Sequence, residues 1–243
     1  MRTETATPKA RRSPAGATRA DQGGVVSAWL TDLQYRWDDM LQGARMRRFA
    51  KDETLFLEGQ LAATVYVIFE GRVRLTSFGF DGHERHLMIV GPNGLVGDCA
   101  ITSDPHYAVS AVAAADASVA MVPASRMLAA LARYPALAAQ QRALSGLRFR
   151  IMLRHVAVQG SNAGRRKVCL HLMDLMRSYG TPHRDGTVIT IGFTQQEMGS
   201  ICGLSRVSVS HVFTELLRDQ VISRAGRLIV VRNPARLDLR SRS

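Results

Sequence analysis

At Pro123 the chain changes its hydrophobic period, and that change constrains the fold more than any other feature. Upstream, residues 45 to 123 hold short β-rich runs: Thr54 to Leu57, Thr64 to Phe69, Arg72 to Phe78, Glu84 to Val90, Ala108 to Val112 and Ser118 to Val122. Gly59, Gly71, Gly79, Gly82, Gly91, Gly94 and Gly97 punctuate them. Val65, Val67 and Phe69 share one face, and so many short strands with tight turns predict a compact antiparallel barrel or sandwich. Downstream the pattern is helical, and from Pro135 to about Gln159 no proline interrupts it, only an isolated Gly146. A helix of about 25 residues spans nearly 40 Å at about 1.5 Å per residue, more than one small domain readily covers. Leu137, Leu144, Ile151 and Val158 recur every seventh residue, with Leu147 at the offset position. That is the seam of a two-stranded coiled coil, and it predicts a homodimer. Gln140 and Arg154 interrupt the offset positions, and packing of this helix on its own barrel stays open as the alternative.

After a hinge at Ser161 to Gly164, the residues Val168, Leu170, Leu172, Met173, Leu175 and Met176 predict a further helix, and Val188 to Ile191 a short strand. Thr194 and Glu197 then form a Thr-x-x-Glu capping box, in which each side chain satisfies the other's backbone N–H at a helix start. That helix ends near Cys202 and Gly203. Ser205 caps the next, whose apolar positions are Val209, Val212, Phe213, Leu216 and Leu217. Two short capped helices around a glycine turn are a helix-turn-helix. Val221 to Arg224 and Arg227 to Val231, joined at Ala225 and Gly226, complete it with a hairpin, the wing.

Ahead of the barrel, Trp29, Leu30, Leu33, Trp37, Met40 and Leu41 fall at spacings of three and four and predict a short amphipathic helix over Ala28 to Gln42; Asp38 and Asp39 fit its solvated face. The resulting α+β organisation is a basic tail over 1–27, a β-rich domain with an N-terminal helix over 28–125, a dimerisation helix over 126–160, and a winged helix-turn-helix over 161–243. The tail lacks the apolar core of a signal peptide. No apolar run approaches the roughly 20 residues needed to cross a bilayer, so a soluble, cytoplasmic protein is expected. Of the 243 residues 46% are hydrophobic, and the formal net charge is +12. From Ser161 onward thirteen Arg and Lys face six Asp and Glu, which makes the last third the expected nucleic-acid face. Cys99, Cys169 and Cys202 lie far apart without CxxC spacing, so neither a disulfide framework nor a metal site is expected. With no P-loop, HExxH or GxSxG motif, an enzyme is not expected either.

From about Phe49 to Val231 the sequence resembles the CRP/FNR family of bacterial regulators. The best-matched stretch is FTQQEMGSICGLSRVSVSHVFTELLRDQVIS, beginning at Phe193. FLEGQLAATVYVIFEGRVRL, with Gly59 and Gly71 at the family's turns, and GPNGLVGD support it. The resemblance implies a β-roll sensor of cyclic-nucleotide-binding type, a long dimer helix and a winged helix-turn-helix that reads a palindromic site on double-stranded DNA. It places Arg206, Val207, Ser210 and His211 at the major groove. Arg206 matches an arginine that reads guanine in the cyclic-AMP branch, and its fork suits guanine O6 and N7. Val207 stands where the family usually has glutamate, and could pack on a thymine methyl instead. His211 replaces a frequent arginine. Ser205, Ser208, Thr194 and Gln195 are expected at phosphates or as caps. RNA polymerase is the implied protein partner.

The sensor departs further from the pattern. Cyclic-AMP-binding relatives hold the ribose with a Gly-Glu pair and the cyclic phosphate with an Arg-Ser pair. Here Gly97 and Asp98 approximate the first, next to Cys99, while the second falls on Tyr107 and Ala108. A buried phosphate would lack its cation there, so an effector other than cyclic AMP is expected. The cysteine cluster of the iron-sulfur branch is missing from the tail. No cofactor is required by these residues; haem would draw on Cys99, His83, His86, His106 or His155. Cys202, inside the helix-turn-helix, is a candidate redox switch. Two competing readings are a vestigial sensor on a constitutive DNA binder, and a nucleotide-binding-type module that acts on a protein partner without DNA.

Overall fold

A computed structural model describes residues 27–242, apart from Asp32, 79–83, Ser103, Pro105 and 161–162. Residues 1–26 of the predicted tail, His83 and the first half of the predicted hinge lie outside the described residues. The N-terminal half is a β-roll. Its strands are β1 (Trp29–Leu30), β2 (Arg45–Phe49), β3 (Thr54–Phe56), β4 (Thr64–Phe78), β5 (Glu84–Val90), β6 (Leu95–Val96) and β7 (Ser110–Pro123). They form one sheet in the order β1-β5-β4-β7-β2, with β3 on β7 and β6 on β4.

Two of these strands are longer than the glycine pattern implies. Gly71 does not end a strand: β4 runs on through it, with the register against β7 shifting around Glu70 and Arg72. The residue sits at φ +76°, and a Cβ there would lie 2.0 Å from the Asp116 carbonyl oxygen, so only glycine fits this bulge.

The predicted amphipathic helix over Ala28 to Gln42 is not formed. Only α1 (Asp38–Leu41) is helical, and Trp29 and Leu30 instead pair in parallel with Ile89 and Val90 of β5. The apolar residues are buried as the spacing requires, with Trp29, Leu30, Leu33, Trp37 and Met40 all in the core. What the helical reading overlooks is the open edge of β5, whose N–H groups need partners: Ile89 donates to the Ala28 carbonyl and Gly91 to that of Leu30.

Beyond the roll come α2 (Ala124–Arg133) and the 25-residue α3 (Pro135–Gln159), separated at Tyr134, then α4 (Gly164–Tyr179). Strands β8 (Gly180–His183), β9 (Gly186–Ile189), β10 (Ile222–Ala225) and β11 (Leu228–Val231) form a second sheet in the order β10-β11-β9-β8. Between β9 and β10 lie α5 (Gln195–Cys202) and α6 (Arg206–Arg218), and α7 (Pro234–Arg242) closes the chain against α4. Helix α7 carries a start signal in the sequence: Asn233 precedes Pro234, and its Oδ1 accepts from the Arg236 N–H at 2.9 Å.

The predicted dimer seam needs correction. Leu137, Leu144, Leu147, Ile151 and Val158 are at most 4% exposed within a single chain, so they pack on the chain's own domains. The heptad is real, but the core takes that face. A second stripe, Ala139, Gly146, Phe149, Leu153 and Val156, runs along the opposite side of α3 at the same spacing and stays open; Phe149, Leu153 and Val156 are 65%, 57% and 67% exposed.

Candidate nucleic-acid interface and sensor pocket

Local chemistry fixes both helices of the helix-turn-helix. Thr194 Oγ1 accepts from the Glu197 N–H at 3.0 Å while Glu197 Oε2 accepts from the Thr194 N–H at 2.7 Å, a complete capping box at the start of α5. Gly203 ends α5 at φ +65°. Ser205 Oγ then accepts from the Ser208 N–H at 3.0 Å and opens α6. Val209, Val212, Phe213 and Leu216 turn into the core. The remaining face presents Arg206, Val207, Ser208 and His211 to solvent, with Ser205 at its tip and Ser210 half-buried; Val207 is 65% exposed. Thr194 is exposed at the start of α5, and Gln195 half-buried beside it. Arg224 and Arg227 flank the exposed tip of the β10–β11 hairpin, where Gly226 takes φ +60°.

Cys202 lies on the inner side of this motif. It is fully buried, its Sγ 3.7 Å from the Met198 sulfur, and burial pushes its thiol up to about 12. A neutral thiol sealed in the core is a poor target for oxidants, so the redox role expected from the sequence loses its physical basis.

In the roll, Gly97 at φ +78° leads into a single 3-10 turn over Asp98–Ile101. Gly97, Asp98, Cys99 and Tyr107 come together, while Ala108 is exposed. Tyr107 stacks on Phe56 with ring centroids 3.9 Å apart, and its hydroxyl donates to the Thr64 carbonyl at 2.7 Å. Burial raises the phenol above its usual range, so this position supplies no charge. Asp98 pairs at 2.6 Å with Arg148 of α3, a residue that no local spacing links to it.

The candidate haem ligands among the described residues do not converge. His86 faces Glu84 at 3.5 Å, His106 faces Asp104 at 3.0 Å, and His155 lies against His171 of α4 with ring centroids 5.9 Å apart. No group of three His, Cys, Asp or Glu able to hold a metal occurs among the described residues.

The roll also grips the helix-turn-helix half. Arg72 lies 3.1 Å from Glu197, the Tyr179 hydroxyl donates to the Trp29 carbonyl at 2.5 Å, and the Trp29 ring is 5.8 Å from that of Phe193. At the end of α3, Gln159 donates to the Ile201 carbonyl of α5 at 2.6 Å.

A β-roll sensor joined through a long helix to a winged helix-turn-helix with an outward recognition helix defines a DNA-binding regulator. Family models agree: the cyclic nucleotide-binding domain matches residues 46–134 and the Crp-like helix-turn-helix domain residues 166–240. The chain belongs to the CRP/FNR family of transcription regulators. It is 26% identical over 192 residues to the cyclic AMP receptor protein of Thermus thermophilus, covering 79% of this chain and 86% of that protein. It is 28% identical over 200 residues to the global nitrogen regulator of Synechococcus elongatus, covering 79% and 88%. The solved structure of FixK2 from Bradyrhizobium japonicum shares the fold with a TM-score of 0.67 at 24% identity, covering 81% of this chain and 96% of that one. No described helix is long and apolar enough to cross a membrane.

Proposed function

We propose that this transcription regulator works in the cytoplasm as a homodimer on a palindromic operator, in concert with RNA polymerase, under an effector other than cyclic AMP. The observation that carries the reading is the outer face of α6, where Arg206, Val207 and His211 stand exposed above a fully packed inner face. Arg206 has the fork for a guanine and Val207 the apolar surface for a thymine methyl; Ser205 and Ser208, and Thr194 and Gln195 at the start of α5, have hydroxyls and an amide for phosphates. The open stripe of α3, from Ala139 to Val156, supports a second copy as its occupant, since a parallel partner helix would bury the apolar side chains at heptad spacing. Two-fold pairing would set the recognition helices about 34 Å apart, one turn of DNA. Tyr107 puts a neutral ring where cyclic-AMP-binding relatives carry the phosphate cation, which supports an effector other than cyclic AMP.

The test is selection from a randomised DNA pool with purified protein at two salt concentrations. A palindrome is expected, and Arg206→Ala should relax the preference at one base pair per half-site at a cost of about 1–3 kcal/mol. Failure to bind DNA even at low salt would overturn the reading.

A further inference from the structure

A charge interrupts the open stripe of α3. Ala139, Arg142, Gly146, Phe149, Leu153 and Val156 follow one another at alternating steps of three and four, and all are exposed. At about 100° per residue, Arg142 falls near the middle of the arc that the apolar members span, not at its rim. Among the described residues it makes no ion pair. Arg148, further along the same helix, points another way, to Asp98 of the roll.

In a parallel helix pair with two-fold symmetry, each position near the axis meets its own copy. Phe149, Leu153 and Val156 are buried by that arrangement, but Arg142 meets a second Arg142. No carboxylate is at hand to neutralise the two. Between Asp116 and Asp174 the sequence has no acidic residue, so α2 and α3 of both copies bring only basic charge. Arg150, also exposed, adds to it at the edge of the face. Gly146, one turn from Arg142, has no side chain, and nothing lies within 4 Å of where its Cβ would stand. Two facing glycines therefore leave space beside the guanidiniums. Like charges brought together in a seam that excludes water oppose association, and each guanidinium fork is shaped for the oxygens of an oxyanion.

We infer that a doubly charged oxyanion closes the dimer, held on the two-fold axis between Arg142 and the partner's Arg142. This rests on the homodimer proposed above and adds a condition for its assembly: neither chain alone has the site, and the pair is weak without the anion. The site faces away from the roll. It acts by joining two chains, not by moving one domain against another.

The experiment is sedimentation equilibrium of the full-length protein, without DNA, in sodium chloride, sodium sulfate and sodium pyrophosphate at equal ionic strength. Sulfate and pyrophosphate should each lower the dimer Kd by about tenfold relative to chloride. Arg142→Leu should dimerise about tenfold more tightly than the wild type in chloride and lose the response to sulfate. That loss separates a bound anion from the general effect of sulfate on apolar burial, which the variant retains. Arg142→Glu should be a weak dimer that sulfate does not rescue. Mixed in equal amounts with the wild type, it should form heterodimers in preference to either homodimer, because opposite charges then face each other. A wild-type dimer with the same Kd in every salt, a sulfate response that persists in Arg142→Leu, or statistical mixing with Arg142→Glu overturns the inference and leaves the dimer in place. If the wild type and Arg142→Leu are both monomers throughout, the stripe is not an interface and the dimer reading falls with it.

Discussion

Arg72 and Glu197 lie 3.1 Å apart across the two halves of the chain, and Glu197 serves two structures at once. One carboxylate oxygen closes the cap of α5 on Thr194, while the other faces the guanidinium that the Gly71 bulge presents. The first helix of the DNA-binding motif is thus capped from its own sequence and held from the sensor.

Removing Arg72 leaves a carboxylate that is 10% exposed without its cation. Arg72→Ala is therefore expected to destabilise the fold by about 2 kcal/mol, discounted from a fully buried pair because Arg72 itself is partly exposed. Adding Glu197→Gln should recover part of that loss, since the stranded charge is gone while an amide oxygen still caps. A double-mutant cycle by chemical denaturation measures the coupling, and additive losses would show that the pair does not hold the halves together.

The two faces of α3 make opposite predictions. Leu153→Glu lies on the open stripe, and should leave the fold and its unfolding midpoint as a monomer nearly unchanged while dissociating the dimer in sedimentation experiments. Leu144→Ala empties a fully buried position and should cost about 2–5 kcal/mol. A Leu153→Glu protein that sediments as a dimer would remove the stripe from the interface.

These two positions also mark how far the sequence could be read. The caps at Thr194, Glu197 and Ser205 were legible because each bond spans three residues, so the local sequence contains both partners. The period of α3 was legible too, but not which of its two heptad stripes faces its own chain; that depends on domains folded against it. Trp29 and Leu30 became a strand because β5, some 60 residues away, had an open edge. Arg148 and Asp98 are separated by 50 positions, and no spacing rule joins them.

Cysteine reactivity follows burial. Desolvation raises Cys169 to about 11 and Cys202 to about 12, whereas Cys99 is only half-buried. Titrating the native protein with an aromatic disulfide reagent should modify one thiol per chain, and all three after denaturation. Rapid modification of Cys202 in the native state would restore it as a redox candidate.

The junction of α3 with α4 should make stability depend on pH. His171 is buried with both ring nitrogens unpartnered, and desolvation, reinforced by His155, Arg154 and Lys167, pushes it down to about 3. His155 is shifted the same way by burial and Lys167. Below about 6.5 the unfolded chain takes up protons on these rings that the folded chain refuses, so stability falls as the pH drops from there, for His171 down to about 3, by up to about 1.4 kcal/mol per pH unit for each ring within its window. Asp174, whose carboxyl burial raises despite Arg154, has the opposite sign from its unfolded value near 3.8 upward, and opposes the histidines wherever the two windows overlap. Urea denaturation between pH 7 and 5 should show this slope, and His171→Phe should reduce it by the share of one ring. An unchanged slope in that variant would place the protons elsewhere.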